Sequence, residues 1–158
     1  MNRSFFTLAA AAVLTLATTP ALCAEPSPLA GGKALYEKTC ATCHTLERSL
    51  AKKADKAGWE GTVKKMVAGG AKLDEAQSGQ ILGYLTAKSA FEMKCNTCHD
   101  LQRPLTAIKN AEQWQATVRR MAAMKPGPIT DADAGAITLY LSLVTPVKPA
   151  APAAPAYK

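Results

Sequence analysis

The sequence predicts an all-α protein made of two small units in tandem. Three observations carry that reading. Apolar residues recur at helical spacing, no stretch alternates apolar and polar residues as a half-buried strand would, and the second half of the chain repeats the first. A shift of 55 residues carries Leu46, Arg48 and Leu50 onto Leu101, Arg103 and Leu105, and Trp59, Val63 and Met66 onto Trp114, Val118 and Met121. One extra residue in the second copy then moves the offset to 56, so that Ile81 matches Ile137 and Tyr84-Leu85 matches Tyr140-Leu141.

The elements follow in chain order. Residues 32–41 read as a short helix with Leu35 and Tyr36 facing inward, and Phe91 stands where Tyr36 does in the second copy. Trp59, Val63, Met66 and Val67 recur at i, i+4, i+7 and i+8, one face of a helix that Gly69-Gly70 ends. Asp74 can cap a closing helix carrying Ile81, Leu82 and Leu85. Thr130 or Asp131 can do the same for one carrying Ile137, Leu141 and Val144, after a turn at Pro126-Gly127-Pro128. The expected organisation is a leader at residues 1–24, a first unit at 25–87, a second at 88–144 and a disordered Pro/Ala-rich tail at 145–158. No polar linker separates the units, because the helix expected to end near Ala87 runs almost directly into the one before Cys95. Units of this size rarely bury enough apolar surface alone, so a large apolar group at the centre of each would complete the core.

The leader is read from its order of features. Arg3 gives a positive start, residues 5–17 are apolar, Thr18-Thr19-Pro20 breaks the run, and small residues at Ala21, Cys23 and Ala24 offer a cleavage site after Cys23 or Ala24. That pattern implies export to the periplasm. Acylation of Cys23 is the competing reading, and Pro20-Ala21-Leu22 is a poor lead-in for it. No apolar run reaches the roughly 18 to 20 residues that a spanning helix needs, so no transmembrane span is expected.

Four of the five cysteines stand in two copies of C-x-x-C-H, Cys40-Ala41-Thr42-Cys43-His44 and Cys95-Asn96-Thr97-Cys98-His99. This pattern attaches c-type haem: two thiols three positions apart reach the vinyl groups on one porphyrin edge, and the next residue sets its imidazole under the iron. Zinc knuckles would call for four sulfurs in an intracellular protein, a thioredoxin-like pair for a βαβ setting, and plain disulfides would leave the His unexplained twice. His44 and His99 are the only histidines of the chain. Two covalent haems, with iron held by His44 and His99, are therefore expected.

With both histidines spent, no bis-histidine site is possible, and a thioether is the usual alternative opposite His. Met93 lies too near Cys95 to reach over the opposite face. Met66 and Met121 fall at equal repeat positions, 22 residues after His44 and His99, and are the expected distal ligands. Met124 competes with Met121, and both Met66 and Met121 could instead be core residues. Arg48 and Arg103 follow their histidines at one offset and can pair with haem propionates through a planar fork. Trp59 and Trp114 are expected to pack near the haem edge, either as plain core aromatics or with an indole N–H on a propionate. Tyr84 and Tyr140 read as helix-packing residues.

The haem motif, the Leu-x-Arg after it, the Trp-x3-Val-x2-Met helix and the Tyr-Leu ending together resemble small class I-type c cytochrome domains. The tandem arrangement over residues 32–144 is similar to the dihaem domain of the quinohaemoprotein amine dehydrogenase alpha subunit and related dihaem cytochromes. The β domains of a complete dehydrogenase subunit have no counterpart in this sequence. The resemblance implies two tandem cytochrome c-like units, each built around one covalent haem, and electron transfer without amine oxidation.

Export, two haems and filled axial positions lead to one functional expectation. The chain is read as a periplasmic dihaem electron carrier, not an enzyme, passing electrons to a redox protein or serving as the cytochrome subunit of a dehydrogenase. A haem-based redox or gas sensor with a displaceable distal Met is the alternative. A peroxidase would need an open haem and a distal base, against the histidine count. The formal charge of +7 falls by one without the leader and further with haem propionates, and implies no nucleic-acid partner. Lys52-Lys53-Lys56 and Lys64-Lys65 with Arg119-Arg120 can steer an acidic redox partner at low salt, or simply be solvated helix faces.

Overall fold

A computed structural model describes residues 27–124 and 129–147. The expected leader with Cys23, the turn at Pro126-Gly127-Pro128 and all but the first three residues of the expected tail lie outside them. Among the described residues there are seven helices and no strand: α1 (Pro28–Cys40), α2 (Glu47–Leu50), α3 (Lys56–Ala68), α4 (Glu75–Cys95), α5 (Gln102–Leu105), α6 (Ala111–Met124) and α7 (Asp131–Val144). The all-α expectation holds over this part of the chain.

Local chemistry sets the helix ends. Ser27 caps α1, accepting from the Leu29 N–H at 3.3 Å, with Pro28 in the first turn, where its missing N–H costs nothing. Asp55 caps α3 through the Gly58 N–H at 2.8 Å. Beyond Ala68 the chain turns at Gly70, whose φ of +106° suits glycine and strains other residues. Asp74 and Gln77 form a reciprocal capping box on α4, and Thr130 and Asp133 form another on α7. Of the two capping residues considered for α7, Thr130 is the one used.

The duplication is visible in the helices: α5 repeats α2 and α6 repeats α3 at an offset of 55, and α7 repeats the start of α4 at 56. α4 belongs to both copies. Its first half closes the first unit, as α7 closes the second, and its second half leads into Cys95 as α1 leads into Cys40. The expected boundary between residues 87 and 88 falls inside this one unbroken helix. α4 packs against α1, α3 and α7, which explains why its centre is buried on more than one side, from Ala87 through Phe91.

The core is a file of aromatic rings. Tyr36 of α1 meets Tyr84 of α4 at 5.7 Å between ring centroids, Tyr84 meets Tyr140 of α7 at 6.2 Å, and Tyr140 meets Phe91 at 5.3 Å. The rings are tilted, as their quadrupoles favour. Both ends of the file lie four residues before a haem motif, at Tyr36 and Phe91, so the helices presenting the two motifs are fixed relative to each other through packed side chains. Burial pushes the Tyr140 phenol up to about 12 and the Tyr84 phenol higher still, so both stay protonated, in keeping with a packing role. α1 approaches α4 so closely at Gly32 that a Cβ there would lie 2.1 Å from the Gln80 carbonyl oxygen.

Candidate functional site

Each C-x-x-C-H motif begins on the last residue of a helix anchored by a buried ring one turn earlier, Tyr36 or Phe91, and finishes in the turn beyond it, so packing of the helix aims the motif. Cys40 and Cys95 are partly buried and Cys43 and Cys98 exposed, and all four are free thiols. The two motifs make the same local bonds. Thr42 donates its hydroxyl to the Thr39 carbonyl at 2.7 Å and Thr97 to the Lys94 carbonyl at 3.3 Å, each hydroxyl lying within 3.7 Å of the following cysteine sulfur.

The histidines are oriented in the same way. His44 Nδ1 lies 2.9 Å from the Thr45 carbonyl oxygen and His99 Nδ1 lies 3.0 Å from that of Asp100. A carbonyl oxygen only accepts, so Nδ1 is the donor in each ring, which leaves Nε2 as the atom available to a metal. That tautomer, held by an outer hydrogen bond, is what a metal-ligating imidazole requires.

Around the second motif the chain forms a cavity of about 680 Å³, within the roughly 300–1,000 Å³ typical of small-molecule and cofactor sites. Cys95, Cys98 and His99 line it together with Trp114, Met121 and Met124. Its basic wall is Lys94, Arg103, Lys109 and Arg120, with no carboxylate among the lining residues. The residues therefore fit a large apolar group bearing acidic substituents, which is the description of a haem with its propionates. At the first motif, Met66 and Val67 lie on the face of α3 that carries buried Trp59 and Val63, yet both remain 37% exposed. The C-terminal end of that face thus leaves the core, and Met66 is not absorbed by it. Arg48 is exposed on α2, as Arg103 is on α5.

The tryptophans are buried, and their single N–H groups are already engaged. Trp59 donates to the Ser89 hydroxyl at 2.7 Å and Trp114 to the Thr145 hydroxyl at 2.8 Å. An indole N–H on a propionate is therefore not how either residue is used in this structure; Trp114 offers the cavity its ring. Ser89 and Thr145 correspond at the offset of 56, so a pair of hydroxyls at one repeat position was the signal that could have revealed them. Lys52 was visible only as one of a basic cluster and Lys109 not at all; that each lies over the ring of a repeated tryptophan was hidden, because the two lysines are not at corresponding positions.

The chemistry available is narrow. Burial pushes the Cys95 thiol up to about 11 and the Cys40 thiol upward as well, the opposite of what a nucleophilic or redox-exchanging thiolate needs. Among the described residues no three His, Cys, Asp or Glu side chains converge to hold a bare metal ion, and no helix is long and apolar enough to cross a membrane.

In the first copy a helix ending in C-x-x-C-H, an imidazole with Nδ1 on a backbone carbonyl and a following Trp–Met helix give the arrangement expected of a cytochrome c domain. Comparison supports that class for the first copy: residues 27–85 match the family described as cytochrome C oxidase, cbb3-type, subunit III. A cytochrome c domain lies there, with the c-type haem and electron-carrier role that the family implies. The match spans the first motif, Trp59 and Met66. No curated protein and no solved structure matched the chain.

Proposed function

We propose that the chain is an exported two-haem electron carrier, with one haem bonded to Cys40 and Cys43 and a second to Cys95 and Cys98. The observation that carries the second site is that Cys95, Cys98, His99 and Met121 wall one cavity, while His99 repeats the Nδ1-to-carbonyl bond of His44. Bound haem iron supplies a one-electron couple between its ferric and ferrous forms. The chain supplies the rest. His44 and His99 would hold the iron through Nε2, and Met66 on α3 and Met121 on α6 would supply thioethers to it. Arg48 and Arg103 offer guanidinium groups to propionates, and the rings of Trp59 and Trp114 wall the sites. With His and Met side chains holding it, the iron would have no place for a substrate, and electrons would pass between partner proteins. The leader-like pattern of residues 1–24 supports a periplasmic setting for that exchange, with a soluble redox protein or as the cytochrome subunit of a dehydrogenase.

Haem counting tests the reading directly. A pyridine haemochrome assay of protein from cells with working maturation machinery should give two haems per chain, falling to one in Cys95→Ala/Cys98→Ala. One haem in the unaltered protein would overturn the second site. The near-infrared sulfur-to-iron band should then be lost in two steps in Met66→Ala and Met66→Ala/Met121→Ala. Its survival in the double variant would remove Met121 and point to Met124.

A further inference from the structure

Two lysines from different positions in the repeat arrive at the same place. Lys52 Nζ sits 5.2 Å from the ring centroid of Trp59 and hydrogen-bonds Thr62 Oγ1; Lys109 Nζ sits 5.5 Å from that of Trp114 and donates to Thr117 Oγ1 at 3.1 Å. The tryptophans correspond in the two copies, and so do the threonines, each threonine donating in turn to the carbonyl four residues before it, Gly58 or Gln113. The lysines do not correspond: the repeat aligns Lys52 with Ala107 and Lys109 with Ala54. Different loop positions thus deliver a cation to the ring face of the matching tryptophan in each copy.

We propose that Lys52 and Lys109 are the cations that bind a haem propionate on the tryptophan side of each site and thereby set that haem's reduction potential. The inference rests on the two-haem reading. Its own support is geometric. Each indole N–H is turned away to Ser89 or Thr145, so beside each ring it is the ammonium and not the indole that can donate to a carboxylate, with Arg103 and Arg120 as further cations elsewhere in the lining of the second site. Lys109 lines the same cavity as Cys98 and His99. Lys94, another cation of that cavity, is shared with Asp133 at 3.6 Å, whereas among the described residues no carboxylate pairs with Lys52 or Lys109. One of the three ammonium donors goes to threonine, leaving two for an anion, and the ring face and threonine together hold the head group in place. A fixed positive charge there offsets the propionate's negative charge, which otherwise favours ferric iron.

The test is a spectroelectrochemical titration of fully loaded Lys52→Gln, Lys109→Gln and the matching Arg variants. Each Gln variant should lower the potential of one haem and leave the other in place. A shift of about tenfold in the ferric-to-ferrous ratio at fixed potential, ~59 mV for a one-electron couple, is expected. Each Arg variant should restore most of it. Loss of a haem from a Gln variant with retention in its Arg counterpart would equally support the charge requirement. Unmoved potentials in Gln variants that keep both haems would overturn the lysine role while leaving the two-haem reading intact. A single haem in the unaltered protein would instead defeat the two-haem reading and the Lys109 half with it.

Discussion

The two copies carry matching residues into very different surroundings, and one pair shows the consequence. Lys33 and Glu37 lie one turn apart on α1 and form an ion pair of 2.7 Å with side chains 38% and 49% exposed. The duplicated pair, Lys88 and Glu92, forms one of 2.5 Å with side chains only 9% and 19% exposed, because α4 is enclosed by its neighbours. Lys88 also donates to the Leu50 carbonyl at the end of α2 at 3.1 Å, and the second carboxylate oxygen of Glu92 is buried with no hydrogen-bond partner among the described residues. An exposed pair exchanges water for a weak, screened attraction, while an enclosed one has given up its hydration and depends on its partner. Duplication copied the residues; position in the stack decides what they are worth.

The sharpest way to break that comparison is to remove the same lysine twice. Lys88→Met should lower stability by about 3–5 kcal/mol, since it strands the Glu92 carboxylate and the Leu50 carbonyl. Lys33→Met should change it by about 0.5 kcal/mol or less. Urea unfolding of the haem-loaded protein, followed by far-ultraviolet circular dichroism, measures both. Equal costs would mean that enclosure is not what separates the two pairs. Lys88→Met/Glu92→Leu should recover much of the loss, because an apolar pair has no charge to strand.

The same contrast explains what the sequence made legible. Helix spacing, caps and the two haem motifs are local, and residues such as Trp59, Asp74 and His44 declare themselves by pattern. The sharing of α4 was half visible, in the absence of any linker before Cys95, but its enclosure depends on α1 and α7 meeting it from different sides. Tyr36 and Phe91 could be matched to each other from the repeat, whereas the file of rings between them could not. The hydroxyl partners of the tryptophans lie 30 residues away at Ser89 and 31 away at Thr145. The shared place of Lys52 and Lys109 over the repeated tryptophans escaped because repeat alignment finds corresponding positions, and these two reach equivalent rings from non-corresponding ones.

Helix spacing gives a second comparison. Gly32 lets α1 lie against the backbone of α4, and the corresponding residue of the second copy is Ala87, buried on α4. Gly32→Ala would press a Cβ to within 2.1 Å of the Gln80 oxygen and 3.2 Å of the Tyr84 Cβ, and backbone cannot rotate away as a side chain does. The expected cost is about 2 kcal/mol, despite alanine's better helix propensity. Ala87→Gly should cost about 1 kcal/mol, mainly from that propensity. Thermal unfolding of the two holo-variants would show the first as the larger loss; a stabilised Gly32→Ala would mean the α1–α4 approach has slack.

The smallest effect distinguishes the two capping boxes. On α4 the carboxylate is the cap itself, Asp74, whereas on α7 the cap is Thr130 and the carboxylate, Asp133, reaches back to it. Burial would raise the Asp133 carboxyl, but hydrogen bonds from the Thr130 N–H and hydroxyl, with Lys94 at 3.6 Å, outweigh it and hold the group below its ordinary 3.8. A pKa depressed by folding contributes stability that is full above the unfolded value and fades as pH falls through the folded one. Thr130→Ala should therefore cost about 1 kcal/mol at neutral pH. Asp133→Asn should flatten the loss of stability below about pH 4 relative to the parent. An unchanged acid limb in Asp133→Asn would show that the bonds to Thr130 and Lys94 do not hold the carboxylate ionised, and the second closing helix would then owe its start to the Thr130 hydroxyl alone.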